Sequence, residues 1–306
     1  MDQREKFWAG LNRQEKKGNP HIHILGIPYD HSVCYRKGAS LGPDRIREIS
    51  QYIPPTLETG ENLKSLIIHD LGNVTVSLDP ETTFSNAEKV LSDLFSQSFV
   101  LTLGGDHSIS IPIFKTLDRL SQGRIGILFF DAHTDLSDVF EGSRYSHACP
   151  LRRALELPKV DPKDVVLVGT RCFEPEGLRF IDTHQLKYFS TEEILERGSR
   201  EIGKEIMEHL HGVDHLYLSI DIDVLDPAFA PGTGIPEAGG LSTRDVIRLI
   251  RQLDALPIVG ADLVEVSPPL DNSDITSFAA LKIIMEIFGV VYKKIQRQER
   301  IFLEGK

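Results

Sequence analysis

Three apolar runs constrain this chain more than any other feature, because each of them stops abruptly at acids or imidazoles. Residues 99–103 lead into Gly104-Gly105-Asp106-His107-Ser108, and residues 125–130 lead into Asp131-Ala132-His133-Thr134-Asp135. Residues 216–220 lead into Asp221-Ile222-Asp223-Val224-Leu225-Asp226-Pro227. Short runs without polar alternation suit strands buried on both faces. Side chains alternate along an extended segment, so Asp131, His133 and Asp135 are expected to point one way from a strand's carboxyl end. The paired glycines permit a tight turn and close backbone approach where His107 emerges.

Helical and strand patterns alternate around these runs. Further strands are expected at 22–27, 65–68, 165–168 and 258–264. Pro43 suits the first turn of a helix carrying Ile46 and Ile49, and Pro80 opens one carrying Ala87, Val90, Leu91 and Leu94. Other helices are expected at 109–120 and 148–157, after a Ser190–Glu193 capping box, from Ser242, and from 275 to about 295. Such alternation implies a single three-layer α/β/α domain around a central parallel sheet. Ligands of such sheets gather at the carboxyl ends of the strands, where all three motifs fall. Residues 1–20 read as an N-terminal extension, partly helical around Phe7, Trp8 and Leu11, and residues 21–306 as the catalytic domain. His69 reads as a satisfied histidine at a loop edge.

Imidazole and carboxylate donors without thiolate favour harder or borderline ions such as Mn, Fe, Ni, Co or Zn. Six ligand-type side chains, His107, Asp131, His133, Asp135, Asp221 and Asp223, exceed the needs of one ion and serve two if some carboxylates bridge. Asp131 and Asp221 are the candidates for bridging. Two ions about 3.5–4 Å apart lower the pKa of a shared water, so the expected chemistry is metal-assisted hydrolysis.

These stretches, together with Ser146-His147, resemble the ureohydrolases, the family that includes arginase and agmatinase, in family order across residues 22–290. The resemblance implies an arginase-like fold and two Mn2+ ions per chain, other divalent transition metals being alternatives. It places His107, Asp131, Asp135 and Asp221 around one ion and Asp131, His133, Asp221 and Asp223 around the other. It further implies that a metal-bridging hydroxide attacks a guanidinium carbon to release urea and an amine. Glu265, in Val264-Glu265-Val266-Ser267-Pro268-Pro269, matches the acid that pairs with the guanidinium. His147 matches the loop histidine that protonates the leaving amine, with Asp135 the next candidate for that proton. Ala148 follows it where many relatives have glycine.

Residues 228–241 and 262–271 look like agmatinases and related amidinohydrolases, whereas the asparagines with which arginases hold the amino-acid end of arginine are replaced by Ser137 and Tyr145. Agmatine, cleaved to putrescine and urea in polyamine biosynthesis, is therefore the expected substrate. Arginase and guanidinobutyrase-type activities are the alternatives. A non-catalytic metal-binding protein on the same fold would show eroded ligands, which this chain does not, and a one-zinc deacetylase-like relative is disfavoured by the full His107 and Asp223 set.

Composition narrows the remaining classes. A net charge of -11 disfavours nucleic acid and anionic membranes as partners and suits a cationic guanidino small molecule. No membrane-spanning run or signal-peptide pattern is evident, so a cytoplasmic location is expected. Cys34, Cys149 and Cys172 are expected to be free thiols. A Cys149–His147 nucleophile is the weaker reading, since metal ligands already supply one. The resemblance implies a homotrimer or homohexamer.

Overall fold

Phe129 and Phe130 are neighbours in sequence and fully buried, yet they belong to opposite cores. The same division runs through every central strand: Leu101, Leu128, Val166 and Leu218 pack on one face, and Val100, Ile127, Leu167 and Tyr217 on the other. Alternation along a strand thus explains why these runs are apolar at every position. Each such Leu, Ile, Val or Phe contributes about 1.5–3 kcal/mol by leaving water.

The computed structural model describes residues 3–13 and 19–304. Eight strands, β1 (Ile22–Ile27), β2 (Ile68–Asn73), β3 (Phe99–Gly104), β4 (Ile125–Phe130), β5 (Val165–Thr170), β6 (Lys187–Ser190), β7 (His215–Asp221) and β8 (Ile258–Val264), form one sheet. Every pairing is parallel, in the order β2-β1-β3-β8-β7-β4-β5-β6. Helices Gly42–Ser50, Ser199–Leu210, Thr243–Ile250 and Ile275–Glu304 supply one core. Helices Pro80–Phe95, Ser110–Leu120, Pro150–Ala154 and Pro175–His184 supply the other, completing the three layers. The chain leaves β3, skips two places and lays down β4; β7 and β8 later fill the gap. This order sets the carboxyl ends of β3, β8, β7 and β4 side by side.

Several local expectations are corrected. The second strand is Ile68–Asn73 rather than 65–68, because its partner β1 begins at Ile22, which pairs with Ile68. His69 therefore lies within an edge strand, its ring 5.6 Å from that of His23. The helix expected at 109–120 begins at Ser110 after a 3-10 turn at His107–Ile109, and the one expected at 148–157 spans only Pro150–Ala154. β6 and helices Pro175–His184 and Ser199–Leu210 were not expected. Ser190 does cap its helix, but the reciprocal box forms at Ser242 and Asp245.

Trp8 is fully buried, and its Nε1 donates to Asp70 Oδ2 at 2.7 Å, so the N-terminal segment is part of the folded body. Its backbone at Trp8 and Ala9 is left-handed rather than helical. The stretch 272–297 is long and apolar enough to cross a membrane by length and composition, but 72% of its 18-residue apolar window is buried inside the protein. It is a core helix here.

Candidate metal centre

The ends of four adjacent strands meet at one buried point. Gly105 makes this possible beside β3: a Cβ there would lie 1.9 Å from the Tyr29 carbonyl oxygen, so only glycine lets the chain turn toward the site. His107 then projects inward, its ring stacked on Phe129 with centroids 4.6 Å apart. Its Nδ1 lies 3.0 Å from Asp131 Oδ2, 3.1 Å from Asp135 Oδ2 and 3.2 Å from Asp221 Oδ2. A second cluster joins Asp131, His133 and Asp223, with His133 Nδ1 3.0 Å from Asp223 Oδ2 and 3.5 Å from Asp131 Oδ1. Asp131 is common to both.

The carboxylates are aimed by a shared device. Asp131 Oδ1 accepts the His133 amide at 2.6 Å, Asp221 Oδ1 the Asp223 amide at 2.8 Å, and Asp223 Oδ1 the Ala132 amide at 3.1 Å. In each case Oδ2 is left to face an imidazole. Strand alternation does not converge Asp131, His133 and Asp135, as was expected, because β4 ends at Phe130 and Asp135 adopts a φ of 50°. A bent loop does it instead, and backbone strain of this kind concentrates at functional sites.

His107 shows what the donors fit. Its Nε2 lies 3.0 Å from Ser219 Oγ, whose hydroxyl proton goes to Asp262 Oδ1 at 2.9 Å. Ser219 must therefore accept from Nε2–H, and in the neutral ring the Nδ1 lone pair faces three carboxylate oxygens. Among the described residues, buried His107 Nδ1 and Asp131 Oδ2 make no hydrogen bond. Burial opposes charge on His107, but Asp131, Asp135 and Asp221 outweigh it and hold its pKa well above the usual range. Burial, then the charge of Asp131, pushes Asp135 up, and burial with Asp223 and Asp131 pushes Asp221 up. The cluster calls for positive charge, and imidazole with carboxylate is the donor set of a divalent transition ion.

A cavity of about 210 Å³ opens onto these groups. Glu265, at the end of β8, forms part of its wall with a φ of 63° and accepts the His107 amide at 2.9 Å through Oε1. Burial, followed by the charge of Asp106, raises its carboxyl well above the usual range. His147 also lines the cavity; its Nδ1 lies 2.6 Å from the Ser32 carbonyl oxygen and its amide donates to Ser32 Oγ at 2.9 Å. Ser32 is anchored in turn by its amide donating to Asp106 Oδ2 at 3.0 Å.

The arginase family model matches residues 20–289. The chain belongs to the arginase family. It is 36% identical over 276 residues to an agmatinase of Neisseria meningitidis, covering 86% of this chain and 85% of that protein. It is 33% identical over 285 residues to a guanidinobutyrase of Pseudomonas aeruginosa, covering 90% and 87%. The solved structure of proclavaminate amidinohydrolase from Streptomyces clavuligerus superposes with a TM-score of 0.85 at 32% identity, covering 94% of this chain and 97% of that one. This chain is thus a metal-dependent ureohydrolase with the arginase-like α/β fold.

In this arginase-family chain His107, Asp131, His133, Asp135, His147, Asp221, Asp223 and Glu265 all lie at the cavity or in the clusters that could hold an ion. Ser137 and Tyr145 do not line the cavity: the Ser137 amide donates to the Ala148 carbonyl, and the Tyr145 ring packs edge-on against Phe84 beneath Lys115. Sequence reading missed the supports. Ser32 lies in a featureless loop, Ser219 resembles any strand serine, and Arg171 gave no motif. The three cysteines are free, as expected.

Proposed function

We propose that this chain is a two-ion amidinohydrolase that cleaves a cationic guanidino compound to urea and an amine, with agmatine, yielding putrescine and urea, as its preferred substrate. The observation that carries this reading is the pair of His/carboxylate clusters sharing Asp131, which open onto a cavity that Glu265 also lines. His107, Asp131, Asp135 and Asp221 would hold one manganese ion and Asp131, His133, Asp221 and Asp223 the other. When bound, such ions supply activated water at neutral pH and polarise the guanidino carbon–nitrogen system.

The chain's own residues do the rest. Glu265 presents a carboxylate to the guanidinium, a geometry suited to paired charge-assisted hydrogen bonds, and burial strengthens that pairing. His147, with Nδ1 held by the Ser32 carbonyl and Nε2 3.7 Å from the Cys34 sulfur at the cavity wall, is placed to carry a proton to the departing amine. Asp135 is the nearest alternative carrier. The cavity wall includes Glu174 and, among the described residues, no lysine or arginine, which supports a substrate with a cationic far end. A guanidino acid would bring its carboxylate toward Glu174 without a cation to meet it. Family resemblance supports a homotrimer or homohexamer, and cysteine usage a cytoplasmic location.

Metal analysis tests the reading. Active protein should carry two ions per chain, and Asp131→Ala should lose both, since Asp131 belongs to both clusters. One ion per chain in fully active protein would overturn it.

A further inference from the structure

His133 belongs to one more cluster, of different chemistry. Donor atoms of His133, Cys172 and Glu237 all lie within 4.8 Å of one another, at half-buried positions beside the cavity. Cys172 lines that cavity and is a free thiol. The segments that carry the three residues are fastened together. The amides of Arg171 and Cys172 both donate to the Ala132 carbonyl at 2.9 Å, next to His133. The Arg171 guanidinium donates to the Glu237 carbonyl at 2.6 Å and the Asp223 carbonyl at 2.7 Å. Gly240 is held so close that a Cβ would lie 2.7 Å from Arg171 Nη2. The loop bearing Glu237 is therefore pinned against the strand end bearing Cys172, and the donors are assembled before any ion arrives.

We propose that His133, Cys172 and Glu237 form a thiophilic cation site that takes Zn2+ or Cd2+ and switches the enzyme off. A thiolate selects soft ions over manganese, and one sulfur, one imidazole and one carboxylate make a three-ligand set with an open fourth position for water. On binding, the Cys172 S–H bond breaks, its proton leaves to solvent and the sulfur lone pair goes to the ion. Neutral imidazole has a single lone pair, so His133 cannot serve this ion and the ion between Asp131 and Asp223 together. Occupation of one excludes the other. This inhibitory link rests on the two-ion reading above; thiolate ligation does not.

The test is to titrate manganese-loaded full-length protein with Cd2+, following thiolate-to-metal charge-transfer absorption in the near ultraviolet alongside urea release. Absorption should saturate at one Cd2+ per chain as activity falls. Cys172→Ser should abolish the absorption and raise the half-inhibitory Cd2+ concentration by at least about tenfold. Glu237→Gln should keep the absorption but weaken binding, and in Cys34→Ser and Cys149→Ser the absorption should persist at one Cd2+ per chain. Absorption that survives in Cys172→Ser, or that vanishes only in Cys34→Ser, would overturn the site. Equal inhibition of wild type and Cys172→Ser would overturn the switch. Cys172-dependent absorption in a protein that releases urea from no guanidino compound would leave this site standing and sink the proposed function.

Discussion

Ser219 Oγ sits 3.0 Å from His107 Nε2 and passes its own proton to Asp262, which fixes the imidazole tautomer from behind. Partners that orient a ligating histidine in this way affect metal affinity by about 10–100-fold. Ser219→Ala should therefore weaken binding of the ion at the His107 cluster by that factor and leave the Asp131–His133–Asp223 cluster loaded. Chelator competition on wild type and Ser219→Ala measures this. Equal affinities would show that the tautomer is set by something else.

His147 reaches the cavity from a different loop and, among the described residues, forms no ion pair with the carboxylates that surround His107. His147→Ala should lower kcat by about 10²–10⁴ while metal content stays at the wild-type level. Full activity in that variant would pass the proton to Asp135 or to water.

What the sequence made legible was local. An apolar run that stops at Asp131 or His107 marks a strand end by itself, and four such ends at one edge of a parallel sheet need only the fold class to bring them together. Asp135 was found by type but not by path, since its left-handed backbone is imposed by the loop rather than by alternation. β2 was displaced because an edge strand with the sequence Ile68–Asn73 is polar and takes its limits from its partner β1. β6 has four residues with only Phe189 fully buried, too little for a periodic signal. Ser137 and Tyr145 stand at the positions of the arginase asparagines in sequence, but neither lines the cavity, and the Tyr145 ring packs against Phe84 instead. Supports such as Ser32 and Arg171 act through backbone groups of distant loops, and no spacing in the chain announces that.

Stability should depend on pH through Glu286, which is 1% exposed and held by Arg251 at 2.7 and 2.8 Å and by Lys282 at 2.8 Å. Burial works to raise its carboxyl pKa, but Arg251 and Lys282 prevail and lower it. A depressed folded-state pKa means the stabilisation is complete above the unfolded value of about 4.3 and is lost as pH falls through the folded value. Glu286→Gln should cost about 1.5–3 kcal/mol near neutral pH, and the gap to wild type should close in acid. Denaturant midpoints across that range test the sign. A gap that widens in acid would contradict it.

Substrate choice tests the central claim most directly. Agmatine brings a guanidinium for Glu265 and an ammonium toward a wall that contains Glu174 and, among the described residues, no lysine or arginine, whereas arginine adds a carboxylate that no such cation on that wall meets. An unmet buried charge costs about 1.5–3 kcal/mol, or roughly ten- to a hundredfold in kcat/KM. The measurement is urea release by manganese-loaded enzyme from agmatine and from arginine under the same conditions. The account predicts a kcat/KM for agmatine at least about tenfold higher than for arginine; comparable values for the two, or a preference for arginine, would contradict it.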